Sequence, residues 1–253
     1  MSAIDVSPST PLPSRLGWNA LNALQLLFTI AVTAAGFPVA MLLRLTGPRL
    51  PLRMASWYWA PLLLGGAGAR LQVEGAERVD WSRPLVLACN HQSMIDVVAL
   101  FRAVPVPLRF ALKRELAAVP VVGWYARAMG MVFIDRNNAR NARGSLRAAV
   151  SRLRGAGAIA AFPEGTRSRG GSVAPFKGGA FQLAIEAGAS VVPVAIDGGG
   201  AVLPTAGFFR VRPGTIRVRF GTPLATEGLS PQDRQGLARR AHESVAALLA
   251  GGR

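Results

Sequence analysis

A single cysteine and only two histidines in 253 residues leave no internal disulfide and no recognisable metal-ligand spacing. No Gly-x-Ser-x-Gly turn occurs, which argues against a serine nucleophile of the lipase or thioesterase kind. Acidic side chains are scarce as well. Thirteen Asp and Glu face 29 Lys and Arg, giving a net charge of +16 that attracts an anionic partner. Phospholipid surfaces, coenzyme A, acyl carrier protein and nucleic acid all meet that description. Nucleic acid is disfavoured, because no binding motif appears and the arginines are scattered among apolar residues. Charged residues make up 17% of the chain and hydrophobic ones 51%, an apolar balance for a soluble domain, so part of the surface is expected to meet lipid.

That lipid-facing part is legible near the N-terminus. The first 15 residues carry Pro and Ser without periodicity and predict no ordered element. Leu16 to Leu43 then runs without a charge between Arg15 and Arg44, long enough to cross a hydrocarbon core of about 30 Å. A second uncharged run, Met54 to Ala69, is short for a span and is broken by Pro61 and Gly65-Gly66. Two arrangements compete: a spanning helix followed by an interfacial one, or a hairpin dipping into one leaflet. The hairpin is preferred, with Trp57, Tyr58 and Trp59 at headgroup level and Arg44, Arg49 and Arg53 on the cytoplasmic side. A cleaved signal peptide fits less well, because its basic region holds only Arg15 against Asp5.

Beyond residue 70 short apolar runs alternate with helical stretches, the pattern of one α/β domain with a largely parallel or mixed sheet flanked by helices, covering residues 70–253. Strands are expected at Leu71–Val73, Leu85–Cys89, Leu108–Leu112, Met131–Ile134, Ile159–Phe162, Val191–Ile196 and Ile216–Phe220. Along the last, Arg217 and Arg219 alternate outward and are expected to form a basic edge. Asp197 to Pro213, rich in glycine, reads as a mobile loop over the ligand site.

Two polar islands stand at strand ends, where open α/β sheets place their ligands. The first is Asn90-His91-Gln92-Ser93-Met94-Ile95-Asp96. Ser93 reads as a helix N-cap, which puts His91 just outside the helix and Asp96 one turn into it, able to hold the imidazole in one tautomer. This is a His/Asp dyad without a nucleophile. The plain alternative is a capping box, Ser93-x-x-Asp96, beside an ordinary loop histidine. Cys89 as nucleophile is disfavoured, since its setting reads as a small buried core thiol. His242, within the C-terminal helix, reads as structural or exposed. The second island is Phe162-Pro163-Glu164-Gly165-Thr166-Arg167-Ser168. Gly165 permits close backbone approach, and Arg167 beside backbone N–H groups suits a phosphate. Glu164 is expected to orient Arg167 or substrate hydroxyls.

These blocks resemble the glycerolipid acyltransferase family, the one that contains 1-acyl-glycerol-3-phosphate acyltransferases, over roughly residues 70–225. His91-x4-Asp96 matches its first block and Glu164-Gly165-Thr166-Arg167 its third. Lys113-Arg114-Glu115-Leu116, Pro120, Gly123 and Phe133-Ile134-Asp135-Arg136 resemble the second, and Val191-Val192-Pro193-Val194 the fourth. The resemblance implies a membrane-bound enzyme without a cofactor. In it His91, held by Asp96, deprotonates the sn-2 hydroxyl of lysophosphatidic acid for attack on the thioester of acyl-CoA or acyl-ACP. It also implies that Lys113, Arg136, Glu164, Gly165, Thr166 and Arg167 form the phosphate site. Another lysolipid or glycerol 3-phosphate as acceptor is the nearest alternative. A noncatalytic lipid-surface protein of the same fold is the alternative from a different class.

Overall fold

Seven apolar runs of the sequence pair into one sheet. The computed structural model describes residues 15–134, 148–153, 157–168, 172–206 and 209–251, so Arg136 and the first 14 residues lie outside the described residues. The strands are β1 (Ala69–Glu74), β2 (Leu85–Cys89), β3 (Leu108–Lys113), β4 (Val132–Ile134), β5 (Ala158–Ala161), β6 (Ser190–Asp197) and β7 (Gly214–Phe220). Their order is β1-β7-β6-β2-β5-β3-β4. Every neighbouring pair is parallel except β6 with β7, which run antiparallel. The sheet is therefore mixed, and the carboxyl ends of β2, β3 and β5 open on one side.

Central β2 explains the layering. All five of its residues are buried, because successive side chains enter opposite cores. Leu85, Leu87 and Cys89 join the layer made with α4 (Ile95–Ala103), whereas Val86 and Ala88 meet α6 (Gly179–Ala187) and α7 (Arg234–Ala250). Ser230 and Asp233 close a reciprocal capping box ahead of α7, with Pro231 in the first turn. The expected basic edge on β7 is corrected. Arg219 is 8% exposed, because α7 covers its face of the sheet, and its guanidinium bonds Glu74 at 3.1 Å and the carbonyl of Leu248 at 3.4 Å.

The apolar N-terminal segment forms α1 (Arg15–Leu43), which turns back into α2 (Arg49–Met54), a π-helical segment Ala55–Trp59 and α3 (Ala60–Gly66). At 1.5 Å per residue the 29 residues of α1 extend about 43 Å. Gln25 donates to the carbonyl of Gly66 at 3.1 Å, and the Trp59 indole to the Thr33 hydroxyl at 3.1 Å, so the two arms of this hairpin are zipped together. The second arm is buried between α1 and the sheet domain, Leu52, Ala60, Leu63 and Leu64 being in its core. Contacts with the domain are made near both ends of α1. Asn22 accepts the Val211 N–H at 2.8 Å, and Arg44, just past the other end, donates to the carbonyl of Ala128 in α5 (Val122–Ala128) and its C-terminal flank. Outward, Leu24, Leu27, Ile30 and Leu42 are exposed. Within Gly17–Thr46 an 18-residue stretch has a mean hydropathy of 2.2, so the segment is apolar and long enough to cross a membrane by length and composition.

Candidate active site

The parallel pairing of β2 with β5 brings the two polar islands together. His91 and the turn after β5 clasp each other through the backbone. The His91 N–H donates to Glu164 Oε1 at 2.8 Å, and the His91 carbonyl accepts the Ser168 N–H at 2.8 Å and its hydroxyl at 3.1 Å. Asn90 fixes the other side. Its amide donates to the Ile196 carbonyl at 2.8 Å and accepts the Ile196 N–H at 2.7 Å, tying the end of β2 to β6.

His91 Nδ1 lies 2.9 Å from Asp96 Oδ2, which also accepts the N–H groups of Gln92 at 2.7 Å and Ser93 at 2.8 Å. A carboxylate oxygen offers only lone pairs, so Nδ1 carries the proton and Nε2 is left with its own lone pair. Asp96 is wholly buried, whereas the His91 side chain is 14% exposed. The helix begins one residue later than expected. Met94 is the N-cap of α4, and the Ser93 hydroxyl donates to the Leu203 carbonyl at 2.6 Å while accepting the Ile95 N–H at 3.4 Å. Asp96 supplies the acidic half of a capping box and grips the imidazole with the same oxygen, so the two readings of this island coexist in one side chain.

Phe162 stacks on the imidazole with centroids 3.9 Å apart and planes at 17°. Behind it the rings of Phe110, Phe101 and Trp59 follow at 6.1, 5.1 and 5.9 Å, joining the candidate base to the N-terminal hairpin. Each such pair contributes about 0.5–1.5 kcal/mol beyond its burial. Asp96 Oδ1 has no hydrogen-bond partner among the described residues. Gly199 packs against it so closely that a Cβ there would stand 2.2 Å from that oxygen. The segment expected to be a loose loop is thus tied to the dyad. It forms a helical turn, Gly199–Val202, whose flank accepts from Ser93.

Gly165 adopts φ 80°, the left-handed conformation that its turn requires. Beyond it an open cavity of about 670 Å³ is lined by Thr166, Arg167, Ser168, Ser172, Ala174 and Thr205. Thr166 and Arg167 are exposed there. A guanidinium with four hydroxyl-bearing neighbours, Thr166, Ser168, Ser172 and Thr205, suits a phosphate group. Glu164 is corrected. It is 4% exposed, and its Oε1 and Oε2 accept the backbone N–H groups of His91 and Ala174, each at 2.8 Å, so it braces the walls of the cavity instead of orienting Arg167. Burial pushes its carboxyl above the ordinary range, and the Ala174 and His91 N–H donors pull it part of the way back. Lys113 does not line the cavity. It pairs on the surface with Glu115 at 2.9 Å.

Cys89 is fully buried, and desolvation, reinforced by the charge of Asp96, pushes its thiol far up, which removes it as a nucleophile. His242 is structural. It donates from Nε2 to the Val173 carbonyl at 3.1 Å and meets Phe176 edge to face, steadying the Ser172–Phe176 wall. Ser172 and Thr205 were not singled out by sequence reasoning, and Asn90, Phe162 and Gly199 entered it only as parts of the two islands and of the glycine-rich segment, without the contacts seen here.

The family model described as Acyltransferase matches residues 70–197, half of the chain. The 1-acyl-sn-glycerol-3-phosphate acyltransferase alpha of Homo sapiens is 34% identical over 184 residues, which is 70% of this chain and 63% of that protein. A chloroplastic 1-acyl-sn-glycerol-3-phosphate acyltransferase of Arabidopsis thaliana is 32% identical over 156 residues, 61% of this chain and 44% of that one. The chain thus spans less than two thirds of the length of these curated relatives. The crystal structure of the 1-acyl-sn-glycerophosphate (LPA) acyltransferase from Thermotoga maritima matches with a TM-score of 0.75 at 26% identity, covering 92% of this chain and 97% of that one. A mixed sheet that carries a His-x4-Asp pair beside a Glu-Gly-Thr-Arg turn, together with these matches, places the chain in the acyltransferase family that includes the 1-acyl-sn-glycerol-3-phosphate acyltransferases.

Proposed function

We propose that this chain is a membrane-seated acyltransferase that moves a fatty acyl group from a thioester, acyl-CoA or acyl-ACP, to the sn-2 hydroxyl of 1-acyl-glycerol-3-phosphate, forming phosphatidic acid for phospholipid synthesis. The observation that carries this reading is the His91–Asp96 pair at 2.9 Å beside the cavity lined by Arg167. His91 Nε2 takes the hydroxyl proton while Asp96 holds the charge that develops on the ring. The alkoxide adds to the thioester carbonyl, the tetrahedral intermediate collapses, and the thiolate leaves with the proton returned from Nε2. Arg167, with Thr166, Ser168 and Ser172, holds the acceptor's phosphate. Gly165 permits the turn, and Lys113 and Arg136 contribute positive charge to its approach.

Residues 16–69 form the membrane seat and 70–253 the catalytic domain. Because both ends of α1 touch that domain, α1 lies along it, which favours a hairpin immersed in one leaflet over a crossing helix. Arg44, Arg49 and Arg53 suit the anionic cytoplasmic face, which supports a catalytic domain on the cytoplasmic side.

The test supplies one labelled acyl thioester with lysophosphatidic acid, glycerol 3-phosphate and phosphate-capped lysolipids in turn, and identifies each product. Lysophosphatidic acid is expected to be preferred. His91→Ala is expected to lower kcat by about 10²–10⁴-fold, with folding and vesicle binding retained. Arg167→Ala is expected to act chiefly on KM for the acceptor. Normal turnover by His91→Ala, or equal use of acceptors without a free phosphate, overturns the reading.

A further inference from the structure

The segment after β3 holds an apolar surface that neither the dyad nor the cavity uses. It comprises a 3-10 turn, Arg114–Ala118, then Val119 to Val121, then the start of α5. Leu116, Val119, Val121, Val122 and Trp124 are all exposed, Val122 at 50% and Trp124 at 56%. An apolar cluster of this size normally turns inward. Here the backbone holds it out. Val121 adopts φ 62° and ψ −58°, and the Val122 N–H donates to the Pro120 carbonyl at 2.7 Å, which together make the rare γ-turn of positive φ. Gly123 packs beneath the turn so tightly that a Cβ would fall 2.2 Å from the Ala117 carbonyl oxygen. A β-branched residue kept at positive φ persists only where the surroundings enforce it, and such strain gathers at working surfaces.

We propose that Leu116–Trp124 is a second membrane contact, which inserts into the boundary between headgroups and acyl chains beside α1 and tips the mouth of the candidate site toward the lipid. Three observations select a lipid surface. The first is the backbone. The N–H groups of Val119, Val122, Gly123 and Tyr125 donate to the carbonyls of Leu116, Pro120, Val119 and Val121, so the tip can leave water without stranding them. The second is continuity with the hairpin. Phe37 of α1 meets Tyr125 of α5 with ring centroids 6.5 Å apart, and Arg44 donates to the Ala128 carbonyl. The third is charge. Arg127 follows the apolar tip with Trp124 between them, the order of side chains found at an anionic bilayer boundary, while the charge of Lys113 on the other flank is balanced by Glu115. Topology gives the contact its purpose. The segment follows β3, whose carboxyl end opens on the same side of the sheet as those of β2 and β5, which carry His91 and Gly165.

This inference rests on the membrane reading above, and its test separates the two. The full-length protein, and a Trp124→Phe variant, are mixed with phosphatidylcholine and phosphatidylglycerol vesicles whose acyl chains are brominated. The difference in tryptophan quenching between the two proteins reports Trp124. Quenching of the Trp124 component is expected. Val122→Asp and Val119→Asp, both at exposed positions, are expected to weaken vesicle partitioning by roughly tenfold. They are also expected to slow acylation of vesicle-embedded acceptor, with turnover of a short-chain water-soluble acceptor unchanged. Failure of the unaltered protein to bind vesicles overturns the membrane reading and this proposal with it. Normal vesicle binding with Trp124 unquenched and both Asp variants unimpaired overturns this proposal alone. A Trp124 already shielded from acrylamide before lipid is added also overturns it, assigning the face to another protein chain.

Discussion

Two single residues decide how well the dyad is held. Gly199 leaves Asp96 Oδ1 just enough room, so Gly199→Ala forces the carboxylate to move by pushing a methyl to 2.2 Å from it. A displacement of this order in a catalytic group costs about 10²-fold in rate. The variant is expected to show that fall in kcat, with KM for the acceptor little changed and an unaltered circular dichroism spectrum; steady-state kinetics checks it. Glu164 acts by bracing. Its folded-state pKa is raised above the ordinary 4.5 by burial, so its titration favours the fold below that pH, and the contribution is lost as pH rises through the folded value. Glu164→Gln places an amide N–H against one of two backbone donors and is expected to destabilise the detergent-solubilised protein by about 1–3 kcal/mol. The gap between wild type and variant is expected to widen as pH falls from about 7 to about 4, because only the wild type takes up the proton. Urea unfolding across that range measures it. The partners of Glu164 were not legible in the sequence, since backbone N–H groups belong to every residue and leave no mark in a string of letters.

Strands and helices were legible wherever an apolar run is bounded by turn chemistry. Leu85–Cys89 and Ile216–Phe220 were placed within a residue or two of their observed ends. A largely parallel or mixed sheet was legible from the alternation of strands with helices, but which pair runs antiparallel was not. The antiparallel pairing of β6 with β7 follows from how the chain between them turns back through Gly198 and the Gly199–Val202 turn, and period-2 alternation is the same in either sense. Burial of Arg219 was missed for a related reason: alternation identifies the second face of a strand but not whether a helix later covers it. Joints between elements are equally silent in sequence, and the Asn90–Ile196 clasp spans 106 positions. Asn90→Ala leaves the N–H and carbonyl of the fully buried Ile196 unpaired. A loss of about 1–3 kcal/mol for each stranded group is expected in chemical denaturation, together with a fall in activity as the end of β2 loosens.

Across the whole molecule, the proposed membrane seat joins a net charge of +16 to an outward apolar α1, which would bind a lipid surface by different physics. The charge is screened by salt and the apolar contact is not. Binding to vesicles that contain phosphatidylglycerol is expected to exceed binding to phosphatidylcholine alone at about 50 mM salt, and the difference is expected to collapse by about 500 mM. Residual binding to both kinds of vesicle remains, set by the hairpin. Sedimentation of vesicles with bound protein measures the two contributions separately.

Clamping α1 at Asn22 and at Arg44 has a kinetic consequence. A protein joined to its anchor by a slack tether sweeps a volume above the bilayer, but one bolted to it can meet only molecules that drift past in the same leaflet. On the membrane seat proposed above, the encounters of this chain are counted per unit area. Thinning the acceptor with inert lipid therefore slows the reaction even when the amount in the tube is unchanged.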